Sequence, residues 1–91
     1  MTEHRAEQKK VFWNILDDYL GANYELLATH DLEWEPKNES WRLTLRQFAP
    51  DRTFQFMVSP EEVQDSIAAQ GVSPQLIKNF EAEFGKTKRA Q

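Results

Sequence analysis

Hydrophobic and polar residues alternate strictly through the middle of the chain. Over residues 41–46 every second residue is apolar, the period that sends one set of side chains into a core and the other toward water. The alternation resumes over residues 54–58, after a segment that contains Pro50. Proline is favourable at the second position of a tight turn. The pattern predicts two antiparallel strands joined by a turn over residues 49–52.

The register of this strand pair follows from the condition that the two apolar rows coincide. A slip by one residue would send a whole row into water, so the rows must face the same side of the sheet. We predict that Leu45 lies opposite Phe56 and that Leu43 lies opposite Val58.

A turn over residues 36–39 joins the central strand to an earlier one. Trp34 then faces Trp41, and on the other side of the sheet Glu33 faces Arg42. Opposite charges at paired positions contribute about 0.2–1 kcal/mol each. The apolar pattern and the charge pattern select the same register. They predict a three-stranded antiparallel meander with the strand from Trp41 in the middle.

The earlier strand is predicted over residues 24–34, where the alternation continues. A strict period of two places His30 and Leu32 on the core face and Leu27 on the opposite face. We therefore expect Leu27 to belong to the outer, solvent-facing side of the sheet.

Helical periodicity flanks the predicted sheet on both sides. Residues 2–20 carry an apolar stripe at the spacing of one helix face, and Gly21 suits a left-handed C-terminal position. Ser-Pro pairs at residues 59–60 and 73–74 each supply a serine cap and a proline for the first helical position. The helix that starts at the first pair is predicted to end near Gly71. The predicted fold class is α+β: an N-terminal helix, a three-stranded antiparallel meander, and two C-terminal helices packed on one sheet face (α-β-β-β-α-α).

Length and composition bound the class of protein. A chain of 91 residues fits one domain, and we predict a single domain over residues 1–85 and a flexible basic tail over residues 86–91. The absence of cysteine excludes disulfides and thiolate metal sites. No apolar run is long enough to span a membrane, and the N-terminus lacks the apolar core of a signal peptide. We expect a cytoplasmic protein without membrane contact.

Catalytic and cofactor-binding motifs do not accompany these elements. The three glycines form neither a P-loop nor a dinucleotide fingerprint, and no HExxH or nucleophile elbow occurs. A general base needs a partner within hydrogen-bond reach, and the sequence suggests none for His30. We interpret His30 as a structural, hydrogen-bonded histidine at the sheet edge. The prediction is a protein that is not an enzyme and binds no cofactor.

Three acids on the first strand suggest a second kind of chemistry. Asp31, Glu33 and Glu35 share one strand face, an arrangement that can bind a hard cation. No EF-hand spacing occurs, and Arg42 and Arg46 are expected as their partners across the sheet. We interpret the acids as members of a surface ion-pair ladder and predict no metal site.

Surfaces remain as the candidates for function. The outer sheet face is expected to carry Leu27, Phe48 and Met57 as a possible apolar patch, unless the first helix crosses it. The last strand is a sheet edge that is apolar enough to pair with another chain. Our first hypothesis is a non-enzymatic module that binds a partner protein or itself through the outer sheet face or this edge strand. The residues assigned to binding are Arg42, Arg46, Phe48 and Met57.

The acidic residues support an alternative from a different class. Over residues 17–39 the chain carries seven acids against Lys37 alone. Acids spread over a small protein can replace phosphates, as in an inhibitor or decoy of the mobile-element type that occupies a nucleic-acid groove of a larger complex. The residues that would act in this way are Asp17, Asp18, Asp31, Glu33, Glu35 and Glu39.

The segment around Gly71 supplies a third hypothesis. Residues 67–77, IAAQGVSPQLI, resemble the helix-turn-helix of bacterial DNA-binding regulators, in which a short helix, a turn with glycine and a recognition helix succeed one another. The resemblance implies that Gln75, Lys78 and Asn79 would contact bases. Acids follow on the same helix, where they would meet phosphates, and the net charge of −4 disfavours attraction to nucleic acid. DNA binding therefore ranks third.

Overall fold

The computed structural model describes residues 2–48 and 50–85, and the predicted basic tail lies outside them. The order of elements is α-β-β-β-α-α, which confirms the predicted α+β fold. None of the described helices is long and apolar enough to cross a membrane. In chain order the elements are α1 (Thr2–Asn23), β1 (Leu27–Glu35), β2 (Ser40–Phe48), β3 (Asp51–Val58), α2 (Pro60–Ala69) and α3 (Pro74–Phe84).

The three strands form one antiparallel sheet with β2 in the centre. Trp34 pairs with Trp41 and Glu33 with Arg42, so the predicted register of β1 against β2 is confirmed in this half of the strands. The two tryptophan rings meet edge to face, with centroids 5.5 Å apart. This pair and the opposite charges on the other side fix the register together.

A β-bulge in β1 changes the predicted faces of its first half. The register shifts between Thr29 and Asp31, which leaves His30 as the extra residue. Thr29 is consequently buried and His30 is exposed. Leu27 packs against the core instead of lying on the outer face. The predicted positions of His30 and Leu27 are wrong because one inserted residue reverses the alternation of everything before it.

β2 and β3 pair two residues away from the predicted register. Leu43 pairs with Phe56 rather than with Val58, and Leu45 moves in the same direction. β3 begins at Asp51, so the connection is shorter than the predicted four-residue turn. A shift by two residues leaves every side chain on its predicted face. The apolar pattern therefore cannot distinguish the two registers.

The predicted end of α1 is wrong, whereas α2 ends at Ala69, near Gly71 as predicted. α1 continues through Gly21 to Asn23, whose side-chain amide donates to a backbone carbonyl one turn earlier at 2.9 Å. Past this end, Leu26 has a left-handed backbone with φ of 67°. At the end of α2 the left-handed residue is Gln70, with φ of 57°, rather than Gly71. Glycine permits the left-handed conformation without requiring it, and the direction of the following segment decides where it falls.

Both C-terminal helices begin at the predicted residues. The hydroxyls of Ser59 and Ser73 accept hydrogen bonds from backbone N–H groups three residues later, at 3.2 and 3.4 Å. Ser66 is fully buried between the helices. Its hydroxyl donates to the Glu62 carbonyl at 2.8 Å and accepts from the Ser73 N–H at 3.0 Å. This hydroxyl fixes the start of α3 to the body of α2.

All three helices cover the same face of the sheet, which we call the inner face. Residues of α1, α2 and α3 form one buried cluster with the apolar rows of the strands. α1 therefore does not cross the other side of the sheet, a point that its apolar stripe alone left open. The members of the core are Phe12, Leu16, Leu20, Tyr24, Leu32, Trp41, Leu43, Leu45, Val58, Val63, Leu76 and Phe80.

Candidate interaction surface

The outer face is the side of the sheet opposite the helices. Its central column is Arg42, Thr44 and Arg46 of β2, and the side chains paired with this column come from both edge strands. Thr44 is buried among its neighbours although no described helix covers it. The outer face consists of Ala28, Asp31, Glu33, Glu35, Ser40, Arg42, Thr44, Arg46, Phe48, Asp51, Thr53, Gln55 and Met57.

Two ion pairs hold the arginines of the outer face. Arg42 pairs with Glu35 of β1, as expected. Arg46 binds Asp51 through two hydrogen bonds, Nε to Oδ1 at 3.0 Å and Nη2 to Oδ2 at 3.2 Å. Sequence reasoning missed Asp51 as a partner because the predicted register placed it in the turn. Both arginines are thus oriented by carboxylates within the sheet.

The contact between Arg46 and Asp51 also changes the ionisation of both groups. Hydrogen bonding from the guanidinium, followed by its electrostatic attraction, holds the pKa of Asp51 below the ordinary value of 3.8. The same two interactions raise the pKa of Arg46. The pair therefore stays charged at neutral pH and presents a compensated, polar site beside the apolar residues.

Phe48 and Met57 are the exposed apolar residues of the outer face, with 49% and 48% of their surface accessible. Among the described residues, only Val11 and Leu26 are large apolar residues of similar exposure, and both lie outside the sheet. The Arg46 guanidinium lies 5.2 Å from the centroid of the Phe48 ring. Met57 pairs across the strands with the other arginine. Each exposed apolar side chain therefore lies beside a cation.

The structure brings four predicted binding residues onto one surface. Arg42, Arg46, Phe48 and Met57 all belong to the outer face. Leu27, the fifth residue that the alternation assigned to this face, does not, because of the bulge in β1. The signal that finds the four residues is the period of two in β2 and β3, which no bulge interrupts.

The six acids of the alternative hypothesis are dispersed over α1, β1 and the turn that follows it. Asp17 has a structural role, because its Oδ1 accepts from the Thr29 N–H at 3.2 Å and its Oδ2 accepts from Trp13 Nε1 at 3.1 Å. Glu35 is held by Arg42. Among the residues that the structure describes, no group of three His, Asp or Glu side chains is arranged to hold a metal ion.

The two edges of the sheet differ in construction. On the β1 edge, the bulge interrupts the strand and Asp17 of α1 occupies the backbone N–H of Thr29. At the other edge of the sheet, the strand β3 pairs with β2 in unbroken register over its whole length. Phe54 and Phe56 of β3 are half-buried against α3, with ring centroids 4.8 Å from Phe84 and 5.2 Å from Phe80 respectively.

The segment that resembles a helix-turn-helix serves here as a cover of the sheet. Leu76 and Phe80 of α3 are fully buried in the core. Of the residues that the resemblance assigns to bases, Gln75 and Lys78 are exposed and Asn79 is half-buried. Gln75 Nε2 donates to Asn79 Oδ1 at 3.5 Å. Base contact by these residues stays a prediction.

Comparison with known proteins adds no constraint on function. No protein-family model, curated protein or solved structure matches this chain. Any assignment of function therefore has to be argued from the surfaces described above, among which the outer face combines exposed apolar side chains with oriented cations.

Proposed function

We propose that this protein is a non-enzymatic interaction module that binds another protein through the outer face of its sheet. The contact residues are Arg42, Arg46, Phe48 and Met57. The observation that carries the proposal is the placement of all three helices on the inner face, so that no element of the described residues covers the outer face and its two half-exposed apolar side chains. Phe48 lies opposite Asp51 at one end of this face and Met57 lies opposite Arg42 toward the other end, so the two apolar side chains flank the central arginines.

The residue types of this surface suit protein recognition. Aromatic residues, methionine and arginine are enriched in interfaces, and arginine, with aromatic residues, is frequent among those that dominate the binding energy. Both arginines are already held by carboxylates, which reduces the side-chain entropy that a partner would otherwise have to remove. The surface is therefore preorganised for a partner that offers an apolar contact.

The charges around the apolar residues indicate the chemistry of the partner. Along β1 the outer face carries acids, of which Glu33 is exposed and Asp31 is half-buried. A partner with apolar groups that reach Phe48 and Met57 at the two ends of the face, and basic groups toward the β1 side, would complement this arrangement. Such an interface is dominated by desolvated apolar contact, and its affinity depends weakly on salt.

The test is a pull-down from a lysate of the native host, run at low and at high salt, with the wild type and two paired variants. The outer-face variant carries Phe48→Asp with Met57→Lys. The matched control carries Val11→Asp with Leu26→Lys, two apolar residues of similar exposure outside the sheet. Circular dichroism establishes that both variants are folded.

We expect the wild type and the control to retain one partner in stoichiometric amount at high salt, and the outer-face variant to lose it. Retention of the same partner by the outer-face variant would contradict the proposal. Capture of no protein by the wild type at either salt would also count against it.

The acidic inhibitor is the second candidate function, and the uneven charge of the chain favours it. Four of its six acids, Asp17, Asp18, Glu33 and Glu39, are exposed. A partner that recognises them as phosphate substitutes should be released steeply as salt rises, and should survive the change of Phe48 and Met57. The helix-turn-helix hypothesis is tested by the shift of a labelled DNA duplex at low salt.

A further inference from the structure

We infer that β3 pairs along its free edge with β3 of a second copy of this chain, antiparallel about a two-fold axis, so that the two sheets become one. This association uses the edge of the sheet rather than its outer face. It goes beyond the proposed function, and either association can exist without the other.

The free edge of β3 has the geometry that strand pairing requires. β3 runs from Asp51 to Val58 in unbroken register with β2, and within the described residues it has no strand on its other side. Such an edge presents a row of backbone N–H and C=O groups to any extended segment that approaches. No proline interrupts residues 51–58, so no donor is missing from the row.

The β1 edge of the sheet carries two features that block strand pairing. β1 carries a bulge around His30, and the carboxylate of Asp17 occupies the Thr29 N–H. Bulges and charged side chains are the usual devices that protect an edge strand. β3 lacks the bulge, and its two charged residues lie together at its first end.

The position of these charges is compatible with a second copy as the occupant. Asp51 and Arg52 are the first residues of β3. Antiparallel pairing about a two-fold axis places the first residues of one strand beside the last residues of the other. With the axis at Gln55, Arg52 faces Val58 of the second copy, and with the axis at Phe54 it faces Phe56. Neither arrangement sets like charges opposite each other, which would be destabilising.

The same operation on β1 gives the contrary result. An axis at Asp31 sets that residue opposite its own copy, and an axis at Leu32 sets Asp31 opposite Glu33. An axis at Glu33 sets Asp31 opposite Glu35. At these three axes charge repulsion opposes self-pairing of β1, whereas the charges of β3 admit its self-pairing.

The aromatic side chains of β3 add a favourable contact to this pairing. Phe54 and Phe56 are half-buried, and on the inner face they form an aromatic cluster with Phe80 and Phe84 of α3. An axis at Gln55 brings Phe54 opposite Phe56 of the second copy, twice by symmetry. Aromatic cross-strand pairs of this kind stabilise antiparallel strands, and the pairing would cover the exposed flank of the cluster.

Cross-linking tests the geometry, because the chain contains no cysteine and a single introduced thiol can pair only between copies. We expect Gln55→Cys alone, or a mixture of Gln55→Cys with Thr53→Cys, to give a disulfide-linked dimer on mild oxidation. Cross-linking of Gln55→Cys with itself places the two-fold axis at Gln55, and cross-linking between Gln55→Cys and Thr53→Cys places it at Phe54. The control Glu33→Cys is exposed on the same face of β1 and should stay monomeric. Equal cross-linking of the control, or none at β3, would overturn the inference.

Light scattering after size exclusion tests the association itself. We expect the wild type to have twice the 10.7 kDa mass of one chain. The variant with Thr53→Lys and Gln55→Lys should be monomeric, as should the variant with Thr53→Glu and Gln55→Glu. An equimolar mixture of the two variants should recover the double mass, because the lysine at position 55 then faces a glutamate with the axis at Gln55, and both lysines do so with the axis at Phe54. A dimer that survives the lysine pair would overturn the inference.

Amide hydrogen exchange separates edge pairing from association through the outer face. On dilution of the wild type, exchange within residues 51–58 should accelerate as pairing is lost, whereas contact through the outer face leaves these backbone groups as they are. A wild type that stays at 10.7 kDa while it captures a partner through the outer face overturns this inference and supports the proposed function.

Discussion

The two faces of β2 differ completely in environment although they alternate along the same nine residues. Leu43 and Leu45 on the inner face have no exposed surface. Arg42 and Arg46 on the outer face are half-exposed and are held by carboxylates of the neighbouring strands. The inner row supplies the burial that stabilises the fold. The outer row contributes partly exposed ion pairs, which add little to this stability, and we therefore assign binding to it.

The largest expected difference between the faces is in stability. Leu43→Ala empties a fully buried position in the central strand, and such truncations cost about 2–5 kcal/mol of the free energy of unfolding. On the outer face, Arg42→Ala removes an ion pair that is partly exposed, and the expected loss is about 0–1 kcal/mol. Urea denaturation measures both. Equal losses would remove the distinction between the faces.

A smaller loss of unfolding free energy is expected when the buried hydrogen bond between Ser66 and Ser73 is removed. Ser66→Ala removes the acceptor of the Ser73 N–H, and this hydrogen bond is buried. Leaving a buried donor unsatisfied costs about 1–3 kcal/mol. The free energy of unfolding of Ser66→Ala, compared with that of the exposed control Ala68→Ser, measures the cost. A loss no greater than that of the control would show that this bond does not stabilise the layer.

The apolar residues of the outer face should contribute little to stability. Phe48→Asp with Met57→Lys changes two half-exposed side chains, and surface substitutions of this kind usually stay within about 0.5 kcal/mol each. Thermal and urea unfolding should therefore resemble those of the wild type. Marked destabilisation of this variant would mean that the two residues serve the fold, and the case for a binding surface would lose its basis.

The smallest expected effect concerns the pH dependence of the pair formed by Arg46 and Asp51. The folded pKa of Asp51 lies below its ordinary value, so the pair stabilises the fold above that value and loses its contribution as pH falls through the folded pKa. Asp51→Asn should therefore differ most from the wild type near neutral pH. The difference in unfolding free energy should shrink below about pH 4. A difference that grows on acidification would contradict this assignment.

The alternation of residues was sufficient to predict which side of β2 and β3 each side chain occupies, and hence that Arg42, Arg46, Phe48 and Met57 share one surface. It was insufficient for register, because a shift of two residues preserves every face. It also failed at the bulge around His30, where Asp17 of α1 accepts a hydrogen bond from the Thr29 N–H and no local sequence pattern marks the extra residue.

The openness of the outer face was the feature that no pattern could supply. The apolar stripe of α1 would pack equally well on either side of a three-stranded sheet, and only the assembled core shows that it joins α2 and α3. The end of α1 was misplaced for a related reason. Gly21 and Gly71 are permissive positions, and the path to the next element placed the left-handed residues at Leu26 and Gln70.

The most direct test of the outer face as a binding surface is oxidative footprinting of the complex with the partner captured at high salt. Hydroxyl-radical labelling of Phe48 and Met57, both about half-exposed in the free protein, is read by mass spectrometry with and without the partner. We predict strong protection of these two residues and unchanged labelling of Val11 and Leu26. Unchanged labelling of Phe48 and Met57 in a fully formed complex would contradict the account.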